Sequence, residues 1–391
     1  MFEKLNPHNI SLYIHFPWCI KKCPYCDFNS YQANLVIPQD AYLTALLADF
    51  DLSLQLFPNP QNLNLTSIFF GGGTPSLMSG KTVATILNHI NQKLTFTDNL
   101  EITLEANPGA IEQDNMLAYK SAGINRISLG AQSFNDQQLQ KLGRIHQAQD
   151  VKTTISNIIN TNFASFNIDL MYGLPNQSIA EAELDLATAL QFNPPHLSWY
   201  QLTMEPNTLF YRKPPPTPSE DILWEIYSNG LNLLQKNNFV NYEVSAFARD
   251  NYYCQHNLNY WQYGDYLGIG PGAHGKLTIN QQIYRLIKTK HPSKYLSNGK
   301  NSDLNIQNNI MQQEYISDSK QIIFEFMLNN LRLNSGFLKQ DFEQQTGVTI
   351  DAIQPILDQA IAKDLLIIQQ DLIKPSSLGR RFLNDLQGMF L

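Results

Sequence analysis

Apolar positions along this chain fall into short β-rich runs, each closed by polar or glycine-rich sequence and followed by a longer stretch with helical spacing. The runs are SLYIHF (11–16), TSIFF (66–70), LEITLEA (100–106), NRISLGA (125–131), SFNIDLMYG (165–173) and HLSWYQLT (196–203). Between them, patterns such as DAYLTALLADFDLSLQLF fit a helical face better than a strand. Strand, helix and strand in repeated order predict parallel pairing through right-handed crossovers. Six such units predict an α/β fold, a partial or complete (β/α) barrel. Polar residues gather just after each strand, at the C-terminal rim where such barrels carry their chemistry.

The pattern changes at RKPPPTPSE (212–220), a proline-rich stretch that reads as a stiff linker or surface turn. Beyond it, DILWEIYSNGLNLLQKN predicts a helix, NYEVSAFAR a strand and YLGIGPGAHGKL a glycine-rich loop. The polar stretch NGKNSDLNIQNNIMQQ (298–313) reads as a connection. From about residue 319, two helical stretches precede a helix, a short hairpin and a last helix, the order of a small winged-helix-like domain. The expected division is a barrel core over 1–211, a linker and continuation over 212–300, and the C-terminal domain over 301–391.

Composition narrows the function classes. Apolar residues make up 43% of the 391 and charged residues 16%, an ordinary globular balance. A formal charge of −7, with no basic run longer than two residues, argues against nucleic acid as a partner. The opening MFEKLNPHNI lacks the apolar core of a signal peptide, and no uncharged apolar run approaches the ~18–20 residues of a transmembrane helix. Four cysteines are too few for a disulfide framework in a chain of this length. Three of them crowd into CIKKCPYC, as Cys19, Cys23 and Cys26, which reads as metal binding in a reducing cytoplasm.

Three thiolates admit two readings. A structural zinc wants four protein ligands, and His15, four residues before Cys19, is a candidate fourth. A cubane iron–sulfur cluster on three cysteines would instead leave one iron without a protein ligand, open to a substrate or cofactor. Further polar groups sit at the strand ends. GGGTPS (71–76) lets backbone approach a ligand, and Glu105 of EANPG is a rim charge or an acceptor for ribose hydroxyls. Gln132 ends the fourth strand, Arg144 faces a ligand carboxylate or Asp150, and Asp169 lies among apolar residues of the fifth, where a buried acid needs a partner.

CxxxCxxC on a loop after the first barrel strand resembles the signature of the radical S-adenosylmethionine (radical SAM) superfamily. That resemblance implies a 4Fe–4S cluster whose open iron chelates SAM, on a partial (β/α)6 TIM-like barrel. HFPWCIKKCPYCDFNS, GGGTPS, EANPG, NRISLGAQSF, GRIH, DLMYGLP, WYQLTMEPNT and HNLNYW are together similar to the oxygen-independent coproporphyrinogen III oxidase group, and within it to the HemW branch of heme chaperones. The likeness runs from about residue 11 to 275. It implies cluster ligation by Cys19, Cys23 and Cys26, and SAM contacts from Tyr13, Tyr25, Gly72, Gly73, Thr74, Glu105, Gln132, Arg144 and Asp169.

The oxidases of this group typically show CxxxCxxCxC and a longer N-terminal extension. Here Phe28 stands two residues after Cys26, and only ten residues precede the first strand. The chaperone branch matches instead at HNLNY (256–260), a pattern associated with heme. His256 offers a neutral imidazole for heme iron, Cys254 a thiolate alternative, and Tyr260, among other aromatics, a face for the porphyrin. His274, in GPGAHG, is a second candidate. The expected function is therefore a cytoplasmic heme chaperone. It carries a 4Fe–4S cluster served by an electron donor, binds SAM, and delivers heme to heme-accepting proteins, with respiratory enzymes suggested by the resemblance. A decarboxylase of coproporphyrinogen III is the alternative, and a zinc-stabilised binding module the third reading.

Overall fold

The computed structural model describes residues 8–33, 36–109, 115–298 and 311–391. Six parallel strands form where the apolar runs predict them: β1 (His8–Phe16), β2 (Leu63–Gly72), β3 (Thr95–Ala106), β4 (Arg126–Gln132), β5 (Ser165–Tyr172) and β6 (His196–Gln201). They pair in sequence order, β1 to β6, with helices in the crossovers. Local chemistry sets several helix starts. Ser79 accepts the Thr82 N–H, and Ser178 and Glu181 form a reciprocal capping box.

The glycine-rich stretch 266–277 is not the loop that its composition predicts. Beyond the short strands β7 (Val240–Asn241) and β8 (Ala246–Ala248), it forms β9 (Tyr266–Ile269) and the start of β10 (His274–Ile279). Strand β9 joins the sheet as a seventh parallel strand beside β1. Antiparallel β11 (Gln282–Lys288) and β12 (Met311–Ile316) extend that edge, and β8 and β7 extend the other. The resulting sheet of twelve strands is an open barrel. A backbone requirement explains the glycines: a Cβ on Gly268 would lie 1.9 Å from the His274 carbonyl oxygen, where β9 and β10 close on each other.

The two faces of the parallel strands differ. Ile10, Leu12, Ile14 and Phe16 of β1 point outward into the main core with Ile68 and Phe70 of β2 and Ile127 and Leu129 of β4. The opposite face carries Ser11, Tyr13 and His15, then Arg126 and Ser128, then Asn167 and Asp169, and its upper residues line the cavities described below. Ordinary barrels of this class fill the interior with branched apolar side chains. Here the interior carries polar groups on several strands, beside the rings of Tyr13 and Phe69.

After the helix Glu220–Lys236, the chain ends in a second core built from the helices Ser319–Asn330, Lys339–Thr346 and Gln354–Ala362. A hairpin follows, β14 (Leu366–Gln369) with β15 (Leu372–Pro375), and β13 (Phe337–Leu338) pairs with β15, giving the helix-and-wing order read from sequence. Glu325, Leu328 and Asn329 of this unit wall the larger cavity of the barrel. The polar connection expected over 298–313 lies for the most part outside the described residues. Among the described residues, no helix is long and apolar enough to cross a membrane.

Candidate functional site

The loop after β1 carries Cys19, Cys23 and Cys26, all free thiols, into one cavity of about 420 Å³ at the C-terminal rim. That volume lies within the ~300–1,000 Å³ of ordinary small-molecule sites. The Cys26 N–H closes a turn on the Cys23 carbonyl, and the Cys19 thiol donates to the Tyr31 carbonyl. Burial pushes the Cys19 thiol up to about 11 and raises Cys26 as well. Among the described residues, no three His, Cys, Asp or Glu side chains gather closely enough to share one metal ion. A single zinc with bonds of ~2.3 Å to sulfur requires such a gathering. A cubane does not, because it binds each thiolate to a different iron.

His15 is not a fourth ligand. Its Nε2 lies 2.9 Å from the Asn29 carbonyl, which can only accept, so Nε2 carries the proton. Its Nδ1 then accepts from the Tyr13 hydroxyl at 3.0 Å. With both nitrogens engaged, the zinc reading loses the ligand it requires. Cys254 is no substitute, since it lies elsewhere, fully buried ahead of the helix Gln255–Trp261.

The triple glycine serves packing at least as much as ligand approach. A Cβ on Gly72, where φ is 115°, would meet the His15 ring at 2.6 Å, and one on Gly73 would meet the Trp18 carbonyl oxygen at 2.5 Å. The Gly73 N–H donates to the Phe16 carbonyl and the Thr74 N–H to that of Trp18, so this strand end anchors the start of the cysteine loop. Gly72, Gly73 and Thr74 nonetheless line the cavity.

Glu105, Gln132, Arg144 and Asp169 converge on the same cavity, with Tyr25 beside them. Glu105 accepts the Gly72 N–H at 3.1 Å, yet burial and the neighbouring Asp169 push its carboxyl up to about 8. Asp169 is raised by burial too, and Asn167 donates to it at 2.7 Å. Arg144 does not pair with Asp150, which instead caps the Gln147 N–H. It donates to Asn107 at 2.5 Å, to the Gly130 carbonyl at 2.7 Å and to the Cys23 sulfur at 3.7 Å, and so lies against the cysteine loop. Gln132 has φ 69°, a left-handed conformation uncommon outside glycine, and accepts from the Tyr200 hydroxyl at 2.8 Å.

A larger cavity of about 1,240 Å³ adjoins the first, and Gly72, Glu105, Ser128, Asp169 and Ser198 border both. Tyr13 faces this second space rather than the first. So does His256, whose ring stacks on Phe69 with centroids 5.0 Å apart. Its Nδ1 lies 3.1 Å from the Ser67 hydroxyl, and Ser67 gives its own proton to Ser11. Ser67 must therefore accept from Nδ1–H, which leaves the lone pair on Nε2. Burial and the Arg126 charge hold the imidazole down at about 3, hence neutral. Tyr260 also lines this cavity.

The Cys254 thiolate expected from sequence is corrected by the structure. Its thiol donates to Glu101 at 3.5 Å and burial pushes it up to about 12, so it stays protonated and is absent from the cavity wall. Glu101 also accepts the Gln255 and His256 N–H groups, fixing the helix that presents His256.

Sequence reasoning missed Ser67, Glu101, Asn107, Arg126, Ser128, Asn167 and Tyr200. The signal was present: along RISLG, FNIDL and HLSWY every second residue is polar or glycine, unusual for strands of a parallel sheet buried on both faces.

The chain has relatives among known proteins. Residues 13–188 match the radical SAM superfamily, and residues 318–382 match the HemN C-terminal domain. The chain is 46% identical to the heme chaperone HemW of Haemophilus influenzae, covering 99% of each chain, and 44% identical to that of Escherichia coli, again covering 99% of each. The fold is similar to that of the coproporphyrinogen III oxidase HemN from Escherichia coli, a radical SAM enzyme. The TM-score is 0.81 at 22% identity, over 98% of this chain and 90% of that one.

Proposed function

We propose, because this chain belongs to the HemW family of the radical SAM superfamily, that it is a heme chaperone. It takes heme into the larger cavity and passes it to heme-requiring proteins. At the adjoining rim, Cys19, Cys23 and Cys26 hold a 4Fe–4S cluster. SAM lies against Tyr25, Gly72, Gly73, Thr74, Glu105, Gln132, Arg144 and Asp169, with Tyr13 behind them. When bound, the cluster and SAM supply one-electron chemistry. Glu105 and Asp169 accept hydrogen bonds or positive charge from the ligand, and Arg144 holds the cysteine loop against the fourth strand.

The observation that carries the heme assignment is the His256 imidazole. It is neutral, is fixed in one tautomer by Ser67 with no protein partner on Nε2 among the described residues, and borders a cavity roomier than ordinary small-molecule sites. Tyr260 supplies an aromatic face on the same wall. Four free thiols support a reducing compartment such as the cytoplasm.

Hemin titration of the anaerobically purified full chain tests this reading. The wild type develops a Soret band, and His256→Ala weakens it. A wild-type chain that takes up no hemin would refute the assignment. Iron and sulfide reconstitution gives a brown protein, and coproporphyrinogen III supplied with reductant and SAM is not turned over.

A further inference from the structure

The larger cavity holds a second open imidazole. The ring nitrogens of the other internal histidines are engaged: His15 by Tyr13 and Asn29, His196 by Asn167 and Tyr242, and His146 through Nε2 by the Ala131 carbonyl. His274 differs. Its exposed side chain lines the larger cavity, and among the described residues its ring makes no hydrogen bond. It stands at the start of β10, where it pairs with Ile287 and its carbonyl abuts Gly268. A strand position of this kind fixes a side chain better than a loop does.

Strand register relates His274 to His256. Phe69 of β2 pairs with Tyr13 of β1, and Tyr13 with Gly268 of β9, while His274 of β10 abuts Gly268. These four residues therefore stand in one row across the inner face. At about 4.8 Å per strand, His274 lies roughly 14 Å along the curved sheet from Phe69, on which the His256 ring stacks. Between them stand Gly268, which offers no side chain, and Tyr13, whose hydroxyl is tied to His15 Nδ1 at 3.0 Å and whose ring lies 6.1 Å from that of His256. Lys290 and Arg285 border the same cavity, Arg285 paired there with Glu325, and burial, followed by these two charges, disfavours protonation of His274. Two imidazoles that border one cavity, each with an unengaged ring nitrogen among the described residues, and the Lys290 cation near His274 suit a flat metal complex that carries carboxylates.

We propose that His274 is the second axial ligand of the bound heme, opposite His256, its nitrogen completing the iron coordination from the β10 side. This rests on the larger cavity being the heme seat, and the experiment separates the two claims. The ferric hemin complex of the full chain is examined by absorption and electron paramagnetic resonance for wild type, His256→Ala and His274→Ala, each with and without added imidazole.

The wild type is expected to be six-coordinate and low-spin. Each variant turns high-spin with hemin affinity at least about tenfold weaker, and free imidazole restores the low-spin signal. Iron-free protoporphyrin IX binds wild type and His274→Ala alike. A His274→Ala complex that stays low-spin with wild-type affinity overturns the His274 assignment and leaves the chaperone reading standing. Equal weakening of protoporphyrin IX by His274→Ala also overturns it, since the residue would then serve packing. Absence of hemin binding by the wild type overturns both claims.

Discussion

Two carboxylates, the fully buried Asp49 and the half-buried Glu105, lie in the same fold and have opposite fates. Asp49 sits outside the barrel, fully buried, with Lys288 at 2.6 Å, the Gly270 N–H at 3.0 Å and the Tyr295 hydroxyl at 2.8 Å. Its charge is met from three elements, and the cluster fastens the loop that leads from β9 to His274. Glu105 sits inside the barrel with a single protein donor among the described residues, the Gly72 N–H, and a second acid, Asp169, for a neighbour. A buried charge answered by the protein is architecture. One left with a single amide and a like-charged neighbour is poised for a ligand, and the apo fold is less stable for it.

Breaking the answered cluster has the largest effect. Lys288→Met leaves Asp49 buried without its cation, and urea denaturation should register a loss of about 3–5 kcal/mol. A loss below 1 kcal/mol would mean that the pair is not needed. The unanswered acid predicts the reverse. Glu105 keeps its proton up to about pH 8 in the folded chain but loses it near ~4.3 when unfolded. The folded state therefore binds the extra proton between those values, and stability, full below pH 4, falls as pH rises toward 8. Glu105→Gln removes that slope. Urea melts of the apo protein should show the variant about 2–3 kcal/mol more stable than wild type at pH 8, the full linkage of about 4–5 kcal/mol being reduced by the partial solvent access of Glu105, and nearly equal at pH 4, while SAM binding weakens. A stability gain independent of pH would refute the assignment.

Smaller effects sharpen the same contrast. Gly73→Ala places a methyl against the Trp18 carbonyl and should cost about 1–3 kcal/mol, read as a lowered Tm with reduced cluster uptake on reconstitution. Unchanged uptake would show that the cysteine loop does not depend on this anchor. Cys254→Ser, which keeps a donor for Glu101, should stay within about 1.5 kcal/mol of wild type and leave the hemin titration unchanged. A weakened Soret band there would return Cys254 to the list of heme ligands.

The chain by itself determined the six β/α units, the cysteine loop after the first strand and the helix-and-wing order at the end. Each depends on residues close in sequence: a period of two, a period of 3.6, a cap, a turn, a spacing of thiols. The polar inner face was also written there, in the alternation of RISLG and FNIDL. Only the tertiary structure made the glycine-rich stretch at 266 a seventh strand, because its pairing edge is β1, more than two hundred residues earlier. It also decided which histidines keep a free lone pair. His15 and His256 are the same side chain, but Asn29 and Tyr13 occupy one, and Ser67, 189 residues away, orients the other. Protonation and coordination depend on what lies within a few ångströms, and folding sets that distance without regard to separation along the chain.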